Sequence, residues 1–343
     1  MYEVDFLPVD ATEGEPNTEN GDAITIHFIE DATQAERVVV IDAGFATVGH
    51  QVVEHVRKFY GTSHVDLAIS THPDASHIDG LQVVVEELDV AELLVHLPKR
   101  HASPRDVQKH FVDIRAVDSL LDTARTRGTA VAEPFLGQSR FGGQLTVLGP
   151  TETLYESLLA EQLDQARTGA LGHAMTLAAG GLRDLLRNVA AWGYPSEGLA
   201  EDVETSARDE TSVITLVRSD GRQLLFTGDA GLRGLGAAAD HYENLLGTFR
   251  TVPISLFQVP HHGSRRSLSP TLLDRLIGAQ DDPHTSTTAI VSSADADPWH
   301  PSPRVTNALG RRGAALVATE GTAVWSSHRA RPRAGWSPVV TAG

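Results

Sequence analysis

The feature of this sequence that most constrains its fold is a series of short apolar runs that each end in histidine or aspartate. Val65–Ser70 leads into a loop with two histidines, and Gln223–Thr227 leads into Gly228-Asp229. Ser255–Val259 leads into Pro260-His261-His262 in the same way. Short apolar runs bounded by turn signals are typical of buried strands. The sequence therefore predicts strands whose ends carry chemically active side chains.

Strand and helix signals alternate along the first half of the chain. Ala23–Phe28, Arg37–Ile41 and Ala91–Leu97 are predicted to be strands, whereas Val48–Tyr60 and residues 104–128 have helical spacing. Farther on, two apolar runs flank an Asp-Gly step at residues 220–221, which is typical of a tight hairpin. Strands that both pair as hairpins and alternate with helices favour a mixed α/β layered fold.

Residues 151–210 interrupt this alternation. Leucines recur at helical spacing over Leu154–Leu163 and again over Leu182–Val189, with Gly180-Gly181 between them. We predict a helical insertion in which acidic residues outnumber basic ones. Such a segment can be a lid, a docking surface for a protein partner or a structural elaboration. The main domain is expected to span residues 1–325, and the Arg- and Pro-rich tail 326–343 is predicted to be flexible.

Composition excludes several classes of protein. The chain has 28 basic and 45 acidic side chains, and a net charge of −17 disfavours unaided binding to a phosphate backbone. The absence of cysteine excludes disulfides and thiolate metal sites. No run of about 18 apolar residues is present, so we expect no membrane span. The first residues lack a secretory pattern, and the expected location is cytoplasmic.

The loop Thr71–Gly80 carries the strongest chemical signal. It places His72, Asp74 and His77 within six residues, where they can converge on one ion. Imidazole and carboxylate ligands suit Zn²⁺, Mn²⁺ or iron. The alternative is a helix N-terminus capped by Asp74 or Ser76, with incidental histidines. The further strand-end groups that follow in order along the chain favour the metal site.

These residues resemble the metallo-β-lactamase superfamily of metallohydrolases, and most closely the hydrolase domain of ComEC-type DNA-uptake proteins with its free-standing relatives. The resemblance runs from about Asp5 to Trp325. It includes Asn20-Gly21-Asp22, Asp42-Ala43-Gly44, the loop Thr71–Gly80, Thr227-Gly228-Asp229, His261-His262-Gly263-Ser264 and His300-Pro301. It implies an αββα sandwich, in which two mixed sheets pack face to face with helices outside and metals at one sheet edge.

The resemblance also implies roles for individual residues. The metal ligands would be His72, Asp74, His77, Asp229 as the bridging carboxylate, and His262. They would hold one or two zinc ions, with manganese as the alternative. His261 or His300 would then face substrate as a phosphate ligand or proton donor. Ser264 and Arg265 follow the paired histidines and could form a local anion site for substrate, although a solvated charge is the alternative for Arg265.

Two positions depart from the family pattern. Ser76 stands where a metal-binding aspartate is usual, and Gly149 stands where a mid-chain histidine is usual. Asp79 and His173 are the candidate substitutes. The leading hypothesis is a metal-dependent hydrolase that uses an activated water on a small phosphodiester or a nucleic acid. The alternative is a catalytically degenerate protein of this fold that serves as a scaffold or regulatory subunit.

Overall fold

Two seven-stranded sheets form the centre of the structure, a computed structural model that describes residues 1–9, 20–168, 198–280 and 287–339. The first sheet contains β1 (Tyr2–Phe6), β2 (Ala23–Ile29), β3 (Glu36–Ala43), β4 (His64–Ile69), β5 (Asp89–Leu94), β6 (Ala130–Ala132) and β14 (Val324–His328). Its order is β14-β1-β2-β3-β4-β5-β6. The pairs from β3 to β6 are parallel and the others are antiparallel.

The second sheet is also mixed. It contains β7 (Ser139–Arg140), β8 (Leu145–Gly149), β9 (Ile214–Ser219), β10 (Arg222–Phe226), β11 (Leu256–Gln258), β12 (Thr288–Val291) and β13 (Ala315–Ala318). Its order is β13-β12-β11-β10-β9-β8-β7. The pairs from β10 to β13 are parallel, and the predicted hairpin around Asp220-Gly221 joins β9 to β10.

Helices cover the outer face of each sheet. They are α1 (Ala46–His55, continued by a π-helical turn Val56–Tyr60), α2 (Ala75–Glu87), α3 (Pro98–His101), α4 (Pro104–His110), α5 (Ile114–Arg127), α6 (Glu152–Arg167), α7 (Leu232–Leu246), α8 (Pro270–Ile277) and α9 (Pro303–Arg311). Helices α1, α2, α4, α5 and α6 pack on the first sheet, and α7, α8 and α9 on the second. Among the described residues, no helix is long and apolar enough to cross a membrane.

The alternation of side chains along each strand produces these layers. Val39 and Ile41 of β3 point into the core between the sheets, whereas Val38 and Val40 pack under the helices, as the period of two requires. Across the inner core, Phe6 lies 6.3 Å from Phe226 of the second sheet, ring centroid to ring centroid. The helix–sheet–sheet–helix order confirms the predicted αββα sandwich.

One predicted helix is divided in the structure, and part of a second predicted helical segment lies outside the described residues. The helix predicted over 104–128 is divided into α4 and α5, because Asp113 has a left-handed backbone conformation with φ 61°. In the predicted insertion, α6 forms after Thr151, whose hydroxyl oxygen accepts a hydrogen bond from the Leu154 N–H at 3.1 Å. The second run, Leu182–Val189, lies outside the described residues, so the insertion stays a prediction.

Part of the tail 326–343, which its composition predicts to be flexible, contacts β1 in the structure, and its flexibility stays a prediction. The buried Arg333 guanidinium donates two hydrogen bonds to Asp5, at 2.6 and 3.0 Å, and one to Glu3 at 3.1 Å. Its central carbon lies 4.7 Å from the ring centroids of both Phe59 and Trp325. The tail therefore covers the outer face of β1, because two carboxylates of that strand need a cationic partner there.

Candidate metal centre

The histidine and aspartate side chains predicted from the strand ends meet at one edge of the sandwich. Strands β3 and β4 run parallel, and so do β10 and β11, so the residues that follow them reach a common edge. The loop after β4 carries His72, the loop after β10 carries Asp229 and the loop after β11 carries His262. His261 and His262 both have left-handed backbone, with φ 50° and 56°, a conformation that is unfavourable for residues other than glycine and concentrates at functional sites.

Three imidazoles surround the Asp229 carboxylate. Asp229 Oδ2 lies 3.8 Å from Nε2 of both His72 and His77, and Oδ1 lies 3.5 Å from Nε2 of His262. These separations are too long for hydrogen bonds. They are close to the distance of about 3.4 Å that separates two ligands of a tetrahedral ion bound at about 2.1 Å. Asp229 therefore stands where a carboxylate could bridge two cation positions.

The opposite nitrogen of each imidazole is held by the protein. His77 Nδ1 donates to Asp42 at 2.9 Å, and His262 Nδ1 donates to the Ser292 carbonyl at 2.9 Å. His72 Nδ1 lies 3.0 Å from the Thr71 hydroxyl, which itself donates to Asp42. Such contacts fix the tautomer that leaves Nε2 free to bind a metal. In the described part of the chain, Nε2 of His72 and His77 makes no hydrogen bond.

Charge within the cluster also suits a cation. Burial alone lowers the pKa of His72, but the Asp74 and Asp229 carboxylates outweigh it and raise the value to about 10. For His262 too, burial lowers the pKa, but the Asp229 carboxylate outweighs burial and raises the value to about 9. Burial alone raises the pKa of Asp229, but the neighbouring imidazoles, His262 above all, hold it well below its usual range. A divalent cation can take the place of the protons on these histidines. The donor set therefore fits the metal that the resemblance implies.

Asp74 lies beside the cluster and is shared with an arginine. Its Oδ2 is 3.7 Å from His72 Nε2, and its Oδ1 is 2.8 Å from Arg208 Nε. His72, Asp74 and Asp209 form a further group whose ligand atoms lie within 4.8 Å of one another. Arg208 also pairs with Asp113 at 3.1 Å. The Arg208 ion pair competes with a cation for the Asp74 charge.

The structure describes one of the two candidate substitutes for the ligands missing at Ser76 and Gly149, and it lies away from the histidine cluster. Asp79 lines a surface groove with Gln82, Glu86 and Asp113 rather than the histidine cluster. A Cβ on Gly149 would contact Ile214 and Ala238, 3.8 and 4.0 Å away, in the apolar layer under α7. His173 lies outside the described residues. Among the described residues, Asp79 therefore does not replace the ligand missing at Ser76, and the role of His173 stays a prediction.

The residues predicted to face substrate flank the cluster. His300 Nδ1 lies 2.7 Å from Asp297, whose carboxylate also accepts a hydrogen bond from Asn20. His261 Nδ1 lies 3.3 Å from the Ser267 hydroxyl, and burial lowers the pKa of this histidine. Ser264 is buried, and its hydroxyl accepts a hydrogen bond from the Arg266 N–H at 3.3 Å. Arg265 is half-buried on the same loop.

Comparisons with known proteins find a likeness to solved structures. No protein-family model matches this sequence, and the curated proteins give no match either. A crystal structure from Thermotoga maritima, provisionally described as that of a metallo-β-lactamase, is similar with 12% identity and a TM-score of 0.36. The match covers 66% of this chain and 78% of the other. We therefore infer function from the αββα sandwich and its histidine–aspartate cluster.

Sequence reasoning assigned no role to two aspartates that reach the cluster. Asp42 ends β3 and holds His77, while Asp22 precedes β2 and groups with Asp229 and His262. Both belong to motifs that carry the family resemblance. Their signal in the sequence is a carboxylate directly before one apolar strand and another near the end of the next.

A further histidine that sequence reasoning missed, His96, is buried beside the cluster. It follows β5 and stacks on Tyr155, with ring centroids 4.1 Å apart. Both residues line a small cavity that His72 and Thr211 also border. Burial lowers the pKa of His96 to about 3, so its ring is neutral near pH 7.

This burial predicts acid sensitivity. A histidine in the unfolded chain has a pKa of about 6.5. Below about pH 6.5, the unfolded chain therefore binds a proton at His96, whereas the native chain does not. His96 should therefore cost about 2 kcal/mol of stability between about pH 7.5 and pH 5. His96→Phe, which keeps a ring on Tyr155, should lose that much less than wild type over this interval. Denaturant unfolding in chelator at both pH values measures it, and equal losses would contradict the prediction.

Proposed function

We propose that this chain is a metal-dependent hydrolase that acts on phosphodiesters. The observation that supports it best is the arrangement around Asp229, where three imidazole Nε2 atoms lie 3.5 to 3.8 Å from one carboxylate. The Nδ1 atoms of two of these imidazoles donate hydrogen bonds to Asp42 and to the Ser292 carbonyl. Histidines that bind a metal are usually held in this way through their other ring nitrogen. The arrangement therefore supports a metal site, which the proposed hydrolysis requires.

The chemistry follows from the donor set. A cation held by these residues would lower the pKa of a bound water toward about 7 and offset the charge of a phosphoryl oxygen. The chain supplies the remaining functions through His261 and His300, which are not needed as ligands. Asp297 orients the His300 ring through Nδ1, which leaves Nε2 to carry a proton toward a leaving group.

The substrate class rests on the resemblance to the ComEC-type hydrolase domain. Phosphodiesters are the substrates that this branch suggests, and Arg265 beside Ser264 offers an anion contact. With a net charge of −17, the chain is better suited to a small phosphodiester, or to one delivered by a partner, than to unaided capture of long nucleic acid.

The test is a hydrolysis assay on protein loaded with Zn²⁺ or Mn²⁺. We expect turnover of bis-(p-nitrophenyl) phosphate, single-stranded DNA or a cyclic nucleotide, its loss in EDTA and its recovery when metal is added back. Metal binding without turnover of any of these would contradict a phosphodiesterase and favour the scaffold.

A further inference from the structure

The Asn20-Gly21-Asp22 turn lies directly against Ser76. A Cβ on Gly21 would stand 2.1 Å from the Ser76 carbonyl oxygen and 2.9 Å from the Ser76 Cβ. No side chain fits at that distance, so glycine at position 21 is what allows the turn to approach the loop. Asp22 is thereby brought beside the position at which the family's metal-binding aspartate is replaced by serine.

Asp22 has the surroundings of a ligand. The residue is 1% exposed, and its Oδ2 accepts a hydrogen bond from Gln258 Nε2 at 2.8 Å. Its Oδ1 makes no hydrogen bond within the described part of the chain. Asp22, Asp229 and His262 each offer one ligand atom, and these atoms lie within 4.8 Å of one another. A buried carboxylate oxygen needs a donor or a cation, and two carboxylates this close repel each other unless a positive charge lies between them.

Gln258 fixes the Asp22 carboxylate in place. Its Oε1 accepts hydrogen bonds from the backbone N–H groups of Thr227 and Gly228, at 2.8 and 3.2 Å. This leaves its Nε2 to donate to Asp22 and ties the turn before β2 to the loop that carries Asp229. A ligating carboxylate is commonly held through its second oxygen in this way.

We propose that Asp22 is a metal ligand at the second cation position, together with Asp229, His77 and His262, and supplies the carboxylate that Ser76 lacks. The proposal rests on the metal site of the proposed function and deepens it. It gives this chain a second cation position whose carboxylate comes from the turn before β2 rather than from the loop after β4. On this proposal, the serine at position 76 means that the carboxylate ligand comes from Asp22 instead, and the second cation position is retained.

The test measures metal binding without any substrate. After equilibrium dialysis against Zn²⁺, plasma mass spectrometry should find about two ions per wild-type chain and about one per Asp22→Asn chain. Asp79→Asn is the matched control, because that carboxylate faces the surface groove, and it should bind as wild type does. Asp22→Asn with wild-type stoichiometry and affinity would overturn the proposal, and so would a wild-type chain that binds fewer than two ions.

A rescue variant separates a ligand from a merely structural aspartate. Ser76→Asp in the Asp22→Asn background should restore the second ion, because it returns a carboxylate to the loop against which the Asp22 turn packs. Failure of this rescue in a folded double variant would contradict the proposal. Should Asp22→Asn not fold, Asp22→Glu should bind the second ion about 10- to 100-fold more weakly and the first one unchanged. Two bound ions without hydrolysis would instead remove the proposed function and leave this inference standing.

Discussion

Asp229→Asn is expected to abolish metal binding at both cation positions, and any metal-dependent hydrolysis with it. The substitution keeps the shape of the side chain but removes the charge that three imidazoles share, at 3.5 to 3.8 Å. Loss of a partner outside the coordination shell already costs about 10- to 100-fold in affinity or activity. Loss of the proposed shared ligand should therefore cost at least about 100-fold in both metal affinity and activity, which places both below detection. Calorimetric titration with Zn²⁺ and the hydrolysis assay measure the two losses.

The same-type substitution Asp79→Asn is the control for this prediction. Asp79 lies on α2, which also carries His77, but its carboxylate faces the surface groove. Metal affinity and activity should stay at the wild-type level. Thermal melts in chelator must show that Asp229→Asn is folded. A folded Asp229→Asn chain that kept metal-dependent activity would place the ligands elsewhere.

The parts of the fold and site that the sequence predicts are the ones that depend on local pattern. Period-two apolar strands place their following residues at a sheet edge, so strand-end loops with His72, His77, Asp229 and His262 could be expected to meet. The layers follow from the alternation of strands and helices. The structure does bring these four side chains together, while their roles stay predictions.

The parts that the sequence does not predict depend on contacts between distant residues. Arg208 pairs with Asp74 although the two residues are 134 positions apart in the sequence, and no local pattern indicates that contact. Asp22 reaches the cluster only because Gly21 permits close approach to Ser76. The contact of Arg333 with Asp5, 328 positions apart in the chain, is likewise invisible to composition. The overlooked signal was in β1, where Glu3 and Asp5 alternate with apolar residues in a strand that is buried on both faces.

Arg333→Met is expected to produce the largest loss of stability of any single change in the tail. Asp5 is 0% exposed, and besides Arg333 its oxygens contact the Tyr60 hydroxyl at 2.7 Å and His55 Nε2 at 3.1 Å. Burial alone raises the pKa of Asp5, but His55 and Arg333 outweigh it and lower the value. Breaking such a pair leaves an uncompensated buried charge, which costs about 3 to 5 kcal/mol. The melting temperature should fall by roughly 5 to 10 °C.

The exposed Arg329 offers a matched control. Its guanidinium pairs with Asp220 at 2.8 Å on the surface, where such pairs contribute little, so Arg329→Met should change stability by less than about 1 kcal/mol. Adding Asp5→Asn to Arg333→Met should recover part of the loss, because both members of the buried pair are then uncharged. Denaturant unfolding of the four proteins in chelator measures these differences. Equal stability of Arg333→Met and wild type would mean that the tail contributes nothing to the fold and that Asp5 is satisfied by Tyr60 and His55 alone.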